Sequence, residues 1–202
     1  MTSNKSINAL YIYDLDHTLF YYDGDAAMAT VVDQNGTEIY RLQTHEEYRT
    51  YVLPEGCRYD HNEFISAEIF AKTAKPISPL VELIQLDNII PGRTVILTAR
   101  AEFDNKELVK ETLLKHGITA EIYNSGSIPD ITSQAHGKQV MIRRFIDEWN
   151  PNWIHLHDDS ESNLKAFLEL EFEYPNIRFH ANHVKMDNET KIATIQRYRL
   201  DD

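Results

Sequence analysis

After residue 75 the chain alternates short apolar runs, rich in β-forming residues, with longer segments whose apolar residues recur at helical spacing. Two of these runs cover residues 94–97 and 153–157, and an earlier run of the same kind covers residues 9–13. Such runs are typical of strands buried on both faces of a sheet. Strands separated by helices pair in parallel, because a parallel connection needs a crossover long enough to hold a helix. We therefore predict an α/β fold with a Rossmann-like parallel sheet and helices on both faces.

Capping residues mark where the predicted helices begin. Ser78 followed by Pro79 predicts one start, Asp104 with Glu107 predicts another, and Ser160 can cap a third. Helices are expected at residues 62–72, 78–86, 104–116, 138–149, 161–171 and 188–198, and two further strands at residues 119–123 and 176–180.

Residues 22–75 interrupt this alternation. Two β-prone runs, at residues 28–33 and 37–42, flank an Asn-Gly pair, which is a strong signal for a β-hairpin. Together with the helix at 62–72, they predict a small hairpin-plus-helix insertion after the first strand. We expect this insertion to lie like a cap over the site, within a single domain that spans residues 1–202.

Polar side chains follow three of the predicted strands, at the point where each strand ends. In open α/β sheets, ligands bind outside the carboxyl ends of the strands, so we expect these side chains to meet in one crevice. They are Asp14, Asp16, Thr18, Thr98, Asp158 and Asp159, joined by Lys138 at the start of a predicted helix.

The carboxylates in this set suit phosphoryl transfer. Asp14 can attack phosphorus and form an aspartyl-phosphate. Asp16 can protonate the leaving oxygen and then deprotonate the attacking water. Crowded carboxylates repel a phosphate, so the site needs a hard cation such as Mg²⁺, for which Asp158 and Asp159, beside Asp14, are the candidate ligands. Asn163 either orients this acidic pair or faces solvent, and we favour solvent.

Three other residues are candidates for contacting the phosphoryl group. Lys138 would offset negative charge on the nucleophile and on the transferring group, with Lys106 and Lys110 as competing lysines. The Thr98 hydroxyl would hold phosphoryl oxygens. Arg100 either clamps a phosphate oxygen or pairs with a surface acid.

Four short motifs resemble those of the haloacid dehalogenase (HAD) superfamily, and they occur in the same order along the chain. Asp-Leu-Asp-His-Thr at residues 14–18, directly after a strand, resembles the first motif. Residues 96–100 (ILTAR) resemble the second motif, Lys138 the third, and residues 157–160 (HDDS) the fourth. The resemblance covers roughly residues 8–20 and 92–180. It implies a HAD-like sheet.

The resemblance also implies a role for each matched residue. It implies that Asp14 is the nucleophile and that Asp16 is the acid and base. Thr98 and Lys138 would bind phosphate, while the acidic pair at residues 158–159 would hold Mg²⁺ together with the backbone carbonyl of Asp16. In this superfamily the segment between the first two motifs forms a cap that selects the substrate, which corresponds here to residues 22–75.

The details of the motifs narrow the predicted chemistry. Asp16 indicates phosphoester chemistry rather than dehalogenation. The Thr98-x-Arg100 form is similar to that of phosphatases acting on nucleotides or nucleic-acid ends, including the phosphatase domain of polynucleotide kinase, and the short chain resembles small bacteriophage-type members. A kinase half is not expected, since no Gly-x-x-x-x-Gly-Lys-Ser/Thr loop occurs.

The predicted function is therefore Mg²⁺-dependent hydrolysis of a small phosphomonoester, such as a nucleotide. Two alternatives stay open: removal of 3′-phosphates from DNA or RNA ends, and a non-catalytic module that binds Mg²⁺ and a phosphate group or a partner protein. A preference for phosphorylated oligonucleotides that weakens with salt would indicate the first alternative. Binding without turnover would indicate the second.

Charge and composition restrict the partners. The net charge of −12 weighs against broad nucleic-acid binding, which depends on clustered Lys and Arg. No run approaches the roughly 18 apolar residues that a membrane span needs, and the polar stretch before residue 9 predicts no secretory signal. Cys57 is the only cysteine, so no disulfide can form within the chain. We expect a cytoplasmic protein that acts on a small phosphorylated substrate.

Overall fold

The computed structural model describes residues 8–22, 26–187 and 190–200 and contains eleven strands within them. In chain order the strands are β1 (Ala9–Tyr13), β2 (Phe20–Tyr22), β3 (Thr30–Val32), β4 (Glu38–Arg41), β5 (Arg58–Asp60), β6 (Ala74–Pro76), β7 (Arg93–Thr98), β8 (Glu121–Asn124), β9 (Trp153–Asp158), β10 (Arg178–Met186) and β11 (Ala193–Arg197).

Six α-helices lie between these strands, with three short 3₁₀ turns at Asn62–Ile65, Ser125–Ser127 and Leu170–Phe172. The helices are α1 (His45–Thr50), α2 (Ala67–Thr73), α3 (Ser78–Asp87), α4 (Lys106–Lys115), α5 (Gln134–Trp149) and α6 (Glu161–Glu169). Within the described part of the chain, no helix is long and apolar enough to cross a membrane.

The large sheet has the strand order β11-β10-β9-β1-β7-β8, and only β11 runs antiparallel to its neighbour. From β1 the chain winds outward to β7 and β8, then crosses back to β9 and β10 on the other side. The winding direction reverses between β1 and β9, and ligands in open α/β sheets bind at such a reversal, outside the carboxyl ends of the strands. This mostly parallel sheet confirms the predicted α/β class.

Alternation of side chains along the strands creates an apolar face on each side of the sheet. Tyr13 and Ile96 lie on one face and pack against α3 and α4, whose buried residues include Ile84 and Val109. Ile12 lies on the other face, which α5 and α6 cover. Each large side chain buried here contributes about 1.5–3 kcal/mol. The core therefore fixes the carboxyl ends of the strands, where the polar residues follow.

The segment after β1 forms small sheets of its own. β3 pairs with β4 in the predicted hairpin, and Gly36, with φ of 82°, closes its turn by donating to the Asp33 carbonyl at 3.0 Å. β5 adds a third strand to β3. The three residues of β5 were not predicted, because a run this short carries no clear alternation. β2 pairs separately with β6.

Several helices begin at other residues than predicted, because other residues cap them. Residues 62–72 divide into a 3₁₀ turn and α2, because Ser66 caps α2 by accepting from the Ile69 amide at 3.2 Å. α3 is capped at Ile77 rather than Ser78, and Asn105 rather than Asp104 caps α4. α5 starts at Gln134, since Ser133 caps it. Lys138, which was predicted at the start of this helix, therefore lies in the second turn of α5.

The predicted C-terminal helix over residues 188–198 is wrong. The described part of that range contains β11, whereas residues 188 and 189 lie outside the described residues. β10 extends to Met186, beyond the strand predicted at 176–180, and its edge pairs with β11 from Asn182 onward. By pairing with the free edge of β10, the backbone of β11 forms its hydrogen bonds directly. A terminal helix would first have to pay the free-energy cost of nucleation.

Candidate active site

The loop that follows β1 sends two aspartates in different directions. The Asp14 amide donates to the His157 carbonyl at 2.9 Å, so this residue continues the pairing of β1 with β9. Beyond it the chain turns tightly: His17 has a φ of 60°, and its amide donates to the Phe20 carbonyl at 2.7 Å. The turn separates the side chain of Asp16 from that of Asp14.

Lys138 joins the ends of β1 and β9. Its Nζ donates to Asp14 Oδ1 and to Asp158 Oδ2, each at 2.6 Å, and all three side chains are buried. Burial alone would lower the pKa of Lys138, but the two carboxylates raise it above its usual value, so the ammonium stays charged. The competing lysines do not reach the site: Lys106 is exposed and pairs with Glu102, and Lys110 is exposed.

Asp158 is held from the helix that follows β9. Its Oδ1 accepts from the Ser160 amide at 2.9 Å, and its two oxygens accept from Asn163 Nδ2 at 3.0 and 3.1 Å. The expectation that Asn163 faces solvent is wrong, because the side chain is buried and holds Asp158, the first residue of the acidic pair. Its position three residues after a predicted cap was the available signal, since that spacing turns a helical side chain back toward the strand end.

Three carboxylates converge around the Lys138 ammonium. Asp14, Asp158 and Asp159 each offer a carboxylate oxygen within 4.8 Å of the others. Burial raises the pKa of Asp14 well above its usual range. Burial and the adjacent Asp158 raise the pKa of Asp159 to about 7. One ammonium facing three carboxylates leaves two negative charges uncompensated when all are ionised.

These donors fit a hard divalent cation. Mg²⁺ prefers carboxylate oxygens at about 2.0–2.1 Å, so two ligands of one ion lie at most about 4.2 Å apart, and the three side chains each offer an oxygen within 4.8 Å of the others. Two excess negative charges match the charge of the ion once Asp14 and Asp159, whose pKa values burial raises, have lost their protons. Of the four predicted metal ligands, the side chains of Asp14, Asp158 and Asp159 come together. Asp16 was expected to contribute its backbone carbonyl, which stays a prediction, and its side chain lies outside this group.

Asp16 pairs with Arg100 instead. Arg100 Nε and Nη2 donate to the Asp16 carboxylate at 2.9 and 2.7 Å, and the Tyr22 hydroxyl donates to the same group. Burial acts to raise the pKa of Asp16, but Arg100 and Tyr22 outweigh it and lower the pKa to about 2. Arg100 is 6% exposed, so its guanidinium is committed to this pair. The structure therefore favours the acid-pairing alternative for Arg100, although its partner is a site residue rather than a surface acid.

Arg100 also connects the core to the segment after β1. Its Nη1 donates to the Phe64 carbonyl at 2.9 Å. The guanidinium carbon lies 5.3–5.8 Å from the ring centres of Tyr22, Phe64, Phe70 and Phe103, within the range of cation–π attraction. Nothing in the spacing of these aromatic residues predicted that they would surround one arginine.

Hydroxyl and imidazole groups complete the site. Thr98 Oγ1 accepts from the Arg100 amide at 3.2 Å and lies 3.4 Å from Asp16 Oδ2, so this buried hydroxyl supports the ion pair. Among the described residues, the buried Thr18 Oγ1 and His157 Nδ1 have no hydrogen-bond partner. His157 stacks on Tyr13, and burial lowers its pKa to about 3, which keeps the ring neutral.

Replacing Arg100 by methionine should destabilise the fold and release Asp16. The carboxylate would lose its charged partner in a mostly buried position, which typically costs about 3 kcal/mol or more, and its pKa should rise. Urea unfolding at neutral pH measures the first effect, and carboxyl NMR titration of Asp16 measures the second. Arg143→Met, which breaks an exposed pair with Glu173, should cost no more than about 1 kcal/mol. Equal losses from both variants would contradict a special role for Arg100.

Comparisons with known proteins give only distant similarities. No family model matches this chain, and no curated protein matches it. UDP-GlcNAc 2-epimerase from Neisseria meningitidis bound to UDP-GlcNAc aligns over 87% of this chain and 32% of its own, at 12% identity and a TM-score of 0.39. A second UDP-N-acetylglucosamine 2-epimerase aligns over 90% and 34%, at 10% identity and a TM-score of 0.36. This chain spans about a third of the length of both structures.

Proposed function

We propose that this chain is a Mg²⁺-dependent phosphomonoester hydrolase that works through an aspartyl-phosphate on Asp14. The observation that carries the proposal is the convergence of Asp14, Asp158 and Asp159 around the Lys138 ammonium, at the reversal point of the sheet. A nucleophile, a fixed cation and a candidate metal site then lie at the sheet edge where ligands bind.

Asp14 is the nucleophile in this proposal. Lys138 donates to its Oδ1, so the other carboxylate oxygen is the candidate to attack phosphorus. A bond forms between that oxygen and phosphorus, while the bond from phosphorus to the leaving oxygen breaks. Water then attacks the aspartyl-phosphate and releases phosphate and the free Asp14 carboxylate. Lys138 stabilises the negative charge that collects on the transferring group.

Asp16 is the proposed acid and base, and this role requires it to change partners. While Arg100 holds its pKa near 2, Asp16 stays ionised at neutral pH and has no proton to give. The proton donor to the leaving oxygen must be an Asp16 carboxyl that has separated from Arg100. After transfer, the same group takes a proton from the attacking water. The Arg100 pair therefore represents a resting arrangement of this residue.

The residues that would hold Mg²⁺ are Asp14, Asp158 and Asp159. The bound ion would supply positive charge to the phosphoryl oxygens and to the carboxylates around them. Asn163 and the Ser160 amide keep Asp158 aimed at the site, which is the kind of support that outer partners give to metal ligands. The substrate is a small phosphomonoester, a nucleotide being one example, and a cytoplasmic location remains part of the proposal.

Metal removal tests the proposal directly. Purified protein should release phosphate from an aryl phosphate in the presence of Mg²⁺, lose that activity in EDTA and regain it when excess Mg²⁺ is returned. The three carboxylates would repel the anionic substrate without the ion, so we expect a loss of at least about 10²-fold. Activity that is indifferent to EDTA would reject the metal role. Mg²⁺ binding without turnover over a broad panel of phosphoesters would identify a binding module.

A further inference from the structure

A cleft of about 480 Å³ opens at the end of the large sheet opposite the carboxylate site, where its parallel strands begin. It lies where β10 begins at Arg178 and where the antiparallel β11 ends at Arg197. The carboxylates of the candidate active site follow the carboxyl ends of β1 and β9, so the sheet separates the two regions. The volume of the cleft falls within the range of small-molecule sites.

Basic side chains dominate the lining of this cleft. Arg178, His180 and Arg197 line it, and Glu171 is the one acidic residue in its lining. Within the described residues, neither arginine lies within ion-pair distance of a carboxylate. By contrast, the nearby Arg143 pairs with Glu173 at 2.7 Å. Two unpaired guanidinium groups in one cleft are notable on a chain of net charge −12.

Neither guanidinium group forms an ion pair with a carboxylate among the described residues, although Glu171 in the cleft lining attracts Arg197 at longer range. Arg197 Nη2 donates to the Phe179 carbonyl at 3.3 Å, and the Arg178 guanidinium carbon lies 5.6 Å from the Trp153 ring centre. Burial lowers the pKa of His180, and Arg197 and Arg178 lower it further. Burial and the neighbouring Arg199 lower the pKa of Arg197, and Glu171 opposes them only in part. Positive charges thus crowd one another here.

An apolar surface borders this cationic pair. Phe172, in the 3₁₀ turn after α6, lines the cleft and is 80% exposed. A large exposed ring next to unpaired arginines offers two kinds of contact to one ligand: charge-assisted hydrogen bonds to an anion, and a flat apolar surface. Guanidinium groups match the geometry of phosphate oxygens, to which they donate two hydrogen bonds at once.

We propose that this cleft is a second binding site, for a small organic phosphate whose phosphate group lies between Arg178 and Arg197 and whose flat apolar part lies against Phe172. The site is independent of the proposed hydrolysis, because it uses none of the residues at the carboxyl edge. A nucleoside monophosphate has both required parts, and inorganic phosphate has only the first.

Calorimetric titration in EDTA tests this site without interference. In the proposed mechanism the carboxylate site needs Mg²⁺ to bind phosphate, so EDTA should prevent both binding and turnover there. Wild-type protein should bind adenosine monophosphate, and inorganic phosphate more weakly. The double variant Arg178→Gln/Arg197→Gln should bind both at least about tenfold more weakly, because two charged donors are lost. Arg58→Gln/Arg144→Gln removes the same charge from two exposed positions outside the cleft and should leave both affinities unchanged.

Three outcomes would overturn the proposal. They are a wild-type protein that binds neither ligand, an affinity that survives Arg178→Gln/Arg197→Gln, and an affinity that Arg58→Gln/Arg144→Gln weakens equally. Phe172→Ala should weaken binding of adenosine monophosphate severalfold and leave inorganic phosphate unaffected. If it leaves both unchanged, the assignment of the apolar contact is wrong. Phosphate release by the enzyme with Mg²⁺ is a separate measurement, so failure of this site and failure of the proposed function are distinguishable.

Discussion

Asp14→Asn should remove phosphate release, with kcat falling by at least about 10³-fold, because an amide cannot attack phosphorus to form the acyl phosphate. Loss of a nucleophile that forms a covalent intermediate leaves only binding and electrostatic stabilisation. The measurement is the initial rate of phosphate release from an aryl phosphate with Mg²⁺, followed over a concentration series that separates kcat from KM.

The same variant should keep its fold. The asparagine side chain has the shape of aspartate, and its carbonyl oxygen can still accept from Lys138. The change also removes one negative charge from a site where three carboxylates face one ammonium. We therefore expect the midpoint of thermal unfolding in EDTA to stay unchanged or to rise.

Asp87→Asn is the matched control, since Asp87 is also a buried aspartate. It accepts a hydrogen bond from the Tyr13 hydroxyl on the face of the sheet covered by α3, and an asparagine oxygen can accept the same bond. Activity should survive this change. Substantial activity in Asp14→Asn, or equal loss in both variants, would contradict the assignment of the nucleophile.

Lys138→Met should have the largest effect on stability. Methionine fills a similar volume but leaves Asp14 and Asp158 buried without the ammonium that now donates to both at 2.6 Å. Removing one partner from a buried ion pair typically costs about 3–5 kcal/mol. Urea unfolding in EDTA measures this loss. The variant should also be inactive, since the ammonium that stabilises the negative charge of the transferring phosphoryl group is gone.

Mg²⁺ tests whether the carboxylates of this variant bind a metal ion. An ion that binds the native carboxylates, and not the unfolded chain, stabilises the native state by mass action. Excess Mg²⁺ should therefore recover part of the stability lost in Lys138→Met. Lys110→Met, at an exposed position on α4, should change stability little in either condition. If Lys138→Met proves as stable as Lys110→Met, the buried charge network is not as described.

Much of the fold followed from local patterns. The apolar runs at residues 9–13, 94–97 and 153–157 form β1, β7 and β9, because a short apolar run of β-forming residues is typical of a strand buried on both faces. The Asn35-Gly36 turn likewise produced the expected hairpin. The errors fell where tertiary pairing outweighs local preference. β11 forms because the edge of β10 is available to it, and that edge is not visible in the residues of β11 themselves.

The site was predicted in part for the same reason. Strand ends brought Asp14, Asp158 and Asp159 together, since parallel strands share one edge. The environment of Asp16 was not predictable, because it depends on Arg100 and on Tyr22 from a different small sheet. Side-chain direction after a turn with a positive φ depends on the exact backbone path, which hydrophobic spacing does not encode.

The pairing of β2 with β6 has a consequence for how this protein can be rebuilt. Tyr22 lies opposite Ala74, so the chain leaves the parallel core and returns to it at adjacent positions. The segment between Tyr22 and Ala74 can therefore change in length without moving the strands of the large sheet. Added residues cost little free energy, because the entropy of closing a loop grows only slowly with its length. This junction is a natural crossover point for chimaeras: a foreign segment grafted between Tyr22 and Ala74 would keep the β2–β6 pairing but would lose the contacts of Phe64 and Phe70 with Arg100.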